Sequence, residues 1–141
     1  MIRRPMLRLV AVLLPVLALT GCASAGGGVD TGRFKGSAKD VAKAMDDLGD
    51  AGRRGDAQRI CSELLSRRRV DALDRGGKTC SDVVKDQVDD ADVFTLDVDA
   101  ISVSGNRATA RVRSQYDGDK VPRTAVLVRE SGRWRLDTLG R

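Results

Sequence analysis

The hydrophobic period of this chain changes once, near Asp92, and that switch restricts the fold more than any other feature of the sequence. Before it, apolar residues recur at helical spacing: Val41, Ala44, Met45 and Leu48, then Ile60, Cys61, Leu64 and Leu65, then Val70 and Leu73, then Val83, Val84 and Val88. After it the period is two and β-branched residues become frequent. Phe94, Leu96 and Val98 alternate, and Ile101 and Val103 continue on the other parity, a slip that predicts a bulge near Asp99-Ala100. Helices followed by strands imply an α+β domain with the helices packed on one face of an antiparallel sheet. At 141 residues, 41% hydrophobic and 32% charged, the chain is sized for one such domain and can build its core.

The boundaries are marked by capping and turn residues. Ser37-x-x-Asp40 predicts the start of the first helix, and Gly49, Gly52 and Gly55 thin it out near its end. Asp56 and Ser66 are N-cap residues for the second and third helices, and Gly76-Gly77 stops the third. A fourth helix fits Ser81 to Val88. Turns at Gly105-Asn106, Asp117-Gly118 and Ser131-Gly132 divide the remainder into a four-stranded meander. In that meander Val121 to Glu130, apolar on both parities, is central, and Asp137, three residues from Trp134, faces away from it.

The amino end is an address. Arg3, Arg4 and Arg8 precede an apolar run from Leu9 to Leu19 that is shorter than the roughly 20 residues a membrane span needs. Leu19-Thr20-Gly21-Cys22 follows directly and resembles the lipobox of bacterial lipoproteins. The resemblance implies removal of residues 1–21, a lipid such as palmitate on Cys22, and residence on the extracytoplasmic face of the cell membrane. An ordinary secretory signal cut after Ala23-Ser24-Ala25 is the other reading; it also exports the chain but releases it. Residues 22–36, rich in Gly, Ser and Ala, read as a flexible tether, leaving 37–141 as the folded domain.

Export bears on the other two cysteines. Cys61 and Cys80 form an even pair where disulfides persist, and they are not spaced as a redox C-x-x-C. A structural disulfide is expected, two buried thiols being the alternative. With no histidine in the chain, no metal site and no cofactor is expected.

The element order resembles the nuclear transport factor 2-like fold, a cone of helices against a curved antiparallel sheet. The Gly55-Asp56 start of a helix that ends near Leu64-Leu65-Ser66 matches small exported members, as does the final hairpin Leu127 to Asp137 with Trp134 packed under the cone. The resemblance covers about residues 37 to 141. It implies either a non-catalytic binding or scaffold domain or an isomerase- or cyclase-like enzyme, so function has to come from individual residues.

Enzymes of that superfamily place an acid/base residue and a Tyr inside the cone. The available groups here are Asp97, Asp99 and Asp137, any of which would serve as a base if buried, and Tyr116, the only tyrosine, beside a turn. All three aspartates are expected to be solvated, and Tyr116 to be a rim or packing residue. The lining of the cone, mainly Val, Leu, Ile and Ala, suits a packed core or an apolar ligand such as a lipid tail.

Charge is uneven. From Asp82 to Asp99 seven aspartates oppose Lys85, whereas Arg107 to Arg141 is net +5. Arg107, Arg111, Arg113, Arg133 and Arg135 fall on one strand parity and form a candidate face for an anionic wall polymer, lipid headgroups or an acidic protein. The acidic stretch is the alternative partner for those arginines, within one molecule or across a homodimer. The full chain carries +5, but removal of the three leader arginines leaves 22 basic against 20 acidic side chains, and an exported chain does not meet chromosomal nucleic acid.

Overall fold

The computed structural model describes residues 28–90, 95–116 and 119–140, with backbone alone for Tyr116 and Asp119. The proposed leader and Cys22 lie outside these residues, as do Asp92, Phe94 and the Asp117-Gly118 turn.

The chain forms four helices and then four strands, the α+β order that the period switch demands. Helix α1 is Gly36–Arg53. It begins after Lys35 with no side-chain cap, so the Ser37/Asp40 pattern does not start it. Gly49 and Gly52 lie buried within it rather than ending it, because tertiary packing outweighs the roughly 1 kcal/mol propensity cost of a glycine. Helix α2, Ala57–Arg59, continues as a single π-helical turn over Ile60–Leu64. Asp56 caps it as expected, accepting from the Arg59 backbone N–H at 3.0 Å. Helix α3 is Arg67–Asp74, capped by Ser66. Helix α4 is Cys80–Asp89, one residue longer at each end than predicted. Its cap is Thr79, which exchanges hydrogen bonds with Asp82 in a complete capping box.

Strands β1 (Leu96–Ser104), β2 (Arg107–Tyr116), β3 (Asp119–Glu130) and β4 (Arg133–Gly140) form one antiparallel sheet in sequence order, so β3 is central. Helix α1 packs chiefly against β1 and β4, the two outer strands, so the sheet curves around it. The core joins Val41, Met45 and Leu48 of α1 to Ala108, Ala110 and Val112 of β2, Ala125 and Leu127 of β3, and Trp134 and Leu136 of β4. Trp134 is therefore a core residue.

Two bulges interrupt the ladder. One lies between Val98 and Ala100, where the sequence predicted it. The other lies opposite Val126/Leu127, where Leu136 and Thr138 pair across and Asp137 is the extra residue. Each bulge thus inserts an aspartate, Asp99 or Asp137.

The segment before α1 belongs to the folded unit. The Val29 N–H donates to Asp46 at 2.9 Å, Thr31–Arg33 makes a 3-10 turn, and the Arg33 guanidinium reaches the carbonyls of Val98 and Asp99 at 2.6 and 3.0 Å. Phe34 packs on the core. Val29, Arg33 and Phe34, within the stretch 22–36 read as a tether from the sequence, thus make contacts with the domain.

Candidate functional site

Helices and sheet line an open-mouthed cavity of about 500 Å³. All four helices and all four strands contribute to its wall, which is aliphatic in depth through Met45, Leu48, Ile60, Leu65, Leu96 and Leu136. This volume falls within the roughly 300–1,000 Å³ typical of small-molecule sites. Arg69, Gln87, Asp90, Gln115 and Arg123 supply its polar groups. The cone is therefore not packed shut.

None of the three candidate carboxylates lines this cavity. Asp97 lies on β1 and is ion-paired to Lys120 at 2.8 Å. Asp99, the bulged residue, receives two hydrogen bonds from the Arg113 guanidinium at 3.0 and 2.7 Å. Those bonds hold its carboxyl below the usual carboxylate range. Both have partly exposed side chains. Tyr116 ends β2 opposite Asp119.

Asp137 is the exception to the expected exposure. It is 3% exposed, because the bulge in β4 breaks strict alternation and turns Leu136 and Asp137 inward in succession. It does not become a free base. The Arg68 guanidinium donates to it twice, through Nε at 2.9 Å and through Nη2. The Ser66 hydroxyl donates a third bond at 2.7 Å. These bonds, that from Arg68 first, outweigh burial and hold the carboxyl below its ordinary range. A carboxylate so held is a weak proton acceptor.

Ser66 ties this cluster to the fold. Fully buried, it donates its N–H to the Leu136 carbonyl at 2.8 Å, and its hydroxyl both donates to Asp137 and accepts from the Arg69 N–H. Leu65 and Leu136 form a parallel bridge beside it. The edge of β4 is thus covered by the link between α2 and α3. The N-cap role of Ser66 was legible in the sequence; its bond to a residue 71 positions away was not.

The five arginines of the expected basic face separate into three groups. Arg107, Arg111 and Arg133 are exposed and make no ion pair among the described residues. Arg113 is occupied by Asp99. Arg135 is not on the open face: its Nη1 donates to the carbonyls of Ser62 and Leu65, fastening β4 to α2. The acidic stretch is likewise partly neutralised within the molecule, with Asp86 on Lys78, Asp97 on Lys120 and Asp99 on Arg113.

Cys61 and Cys80 are bonded to each other, joining the π-helical turn to the first residue of α4. Among the described residues no group of three or more His, Cys, Asp or Glu side chains is placed to hold a metal, and no helix is long and apolar enough to cross a membrane.

No family model and no curated protein matches the chain. Solved structures do. A SEC-C motif containing protein from Rhodopseudomonas palustris, determined in solution, superposes with a TM-score of 0.54 at 21% identity, over 68% of this chain and 73% of that one. A protein named Rd1NTF2_05, carrying five substitutions, aligns at 17% identity with a TM-score of 0.49, over 74% of this chain and 95% of that one. At 21% identity the likeness to the first of these concerns the fold alone.

Proposed function

We propose that this chain is an exported, lipid-anchored envelope protein whose domain binds a small apolar ligand without transforming it. The observation that carries the binding reading is the aliphatic cavity between helices and sheet. The non-catalytic reading rests on where the carboxylates are. Asp97, Asp99 and Asp137 are all ion-paired, and none lines the cavity. The exposed Arg107, Arg111 and Arg133 provide a second surface for an anionic wall polymer or an acidic protein.

Anchoring rests on the order basic end, apolar run, Leu19-Thr20-Gly21-Cys22. Feeding cells a tagged fatty acid tests it. The wild-type chain should be labelled and Cys22→Ala should not; an unlabelled wild type overturns the anchor. Native mass spectrometry of protein taken from its own envelope tests the ligand. A co-purifying apolar molecule of defined mass is expected, and protein that never carries one, even when offered apolar compounds, overturns the binding reading.

A further inference from the structure

Arg123 is on the wrong side of the sheet for a solvated arginine. It shares strand parity with Ala125 and Leu127, both buried, so its side chain leaves β3 toward the helices. It is half-buried, lines the cavity and donates from Nε to the Ser114 hydroxyl at 3.0 Å, yet it makes no ion pair among the described residues. Arg69 of α3 reaches the same cavity from the helical layer. It too is half-buried and without an ion pair among the described residues. Asp90, the one acidic side chain in the lining, is exposed and pairs with neither.

A guanidinium drawn into an apolar wall costs free energy unless an anion compensates it, and chains that bury cations usually supply the partner themselves. Here two cations without an ion pair among the described residues share a cavity with Leu139, the only exposed large apolar side chain among those residues. Met45, Leu48, Leu96 and Leu136 continue the apolar surface inward. Positive charge beside a continuous aliphatic surface complements one kind of molecule.

We infer that the cavity takes a single-chain amphiphile whose anionic head lies between Arg69 and Arg123 and whose chain lies among the aliphatic side chains. The inference rests on reading the cavity as a ligand site and adds the chemical class. A carboxylate or a phosphate monoester satisfies the same two guanidiniums, each able to donate in a forked geometry.

Three long-chain probes bearing the same photoactivatable diazirine, one a carboxylic acid, one a phosphate monoester and one an alcohol, are presented to the full chain in its membrane. Crosslinks are mapped by peptide mass spectrometry. At least one anionic probe should label peptides of the lining about tenfold more than the alcohol, the gain expected from charge-assisted hydrogen bonds in a partly desolvated site. The stronger of the two identifies the head group. The preference should vanish in Arg69→Gln/Arg123→Gln and persist in Arg69→Lys/Arg123→Lys, with circular dichroism confirming that both variants are folded. Equal labelling by the alcohol overturns the anionic head and leaves the apolar-ligand reading standing. Absence of lining labels from all three probes overturns both.

Discussion

Arg68 reaches over the surface to donate two hydrogen bonds to Asp137, so that a largely exposed guanidinium closes off a carboxylate that is 3% exposed. The pair joins the first turn of α3 to the bulge of β4, and Ser66 completes it from below. An amide at 137 keeps one carbonyl acceptor for Ser66 but removes the charge and sets an NH2 donor against the Arg68 guanidinium. Asp137→Asn should lower unfolding free energy by about 1–3 kcal/mol, read from urea midpoints. Arg68→Ala should also destabilise, because it strands a buried charge.

The same pair sets a pH dependence. The folded-state carboxyls of Asp137 and Asp99 lie below their ordinary range, held there by Arg68 and Arg113 respectively. Their contribution is present above the unfolded value of about 3.9 and is lost as pH falls through the folded values. The chain has no histidine to titrate near neutrality. Thermal midpoints should therefore be level from about pH 5.5 to 8 and fall below about pH 4, with a shallower fall in Asp137→Asn.

The disulfide closes a loop of 19 positions between α2 and α4, elements that also wall the cavity. Reduction, or Cys61→Ser with Cys80→Ser, should cost about 3 kcal/mol on the chain-entropy model. Mass spectrometry without reduction should find neither cysteine alkylatable in protein isolated without reductant.

Core truncations should separate by their distance from the cavity. Leu127, 1% exposed, is not in the cavity wall, so Leu127→Ala should cost about 3–4 kcal/mol. Met45 is equally buried but borders empty space and already lacks neighbours on one side. Met45→Ala should cost nearer 2 kcal/mol, and a bound ligand should widen the gap between Met45→Ala and wild type.

The β3–β4 turn offers a gain as well as a loss. Ser131 and Gly132 both have positive φ, 49° and 79°, as the tightest hairpin turns require at both central positions. Gly132→Ala should lose about 1–2 kcal/mol, and Ser131→Asn should gain a few tenths in the same urea assay.

What the sequence disclosed followed how local each cause is. The caps at Asp56 and Ser66, the bulge at Asp99-Ala100 and the central position of β3 all arise from neighbours in the chain, and all were legible. The burial of Asp137 was not. Its bulge sits opposite Val126/Leu127, and its partners come from the link between α2 and α3, so no residue near it announces either. Arg135 misled for a related reason. Its parity matched the open face, but β4 is an edge strand and the nearby carbonyls of Ser62 and Leu65 drew the side chain to them. The cavity was equally hidden, since its wall gathers residues from every helix and strand.

Were Cys22 lipidated as proposed, the contacts of Val29 and Arg33 would fix how far the domain can stray from that lipid. A tether running to Ser37 would let the fold swing about 50 Å from its point of attachment, at full extension. With Val29 fastened to Asp46, seven chain steps remain, and their reach is at most about 25 Å. The proposed anchor would thus be a short leash, keeping the domain within roughly its own diameter of the bilayer surface. Any pull on that leash would arrive first at Val29 and at the Arg33 grip on the edge of β1.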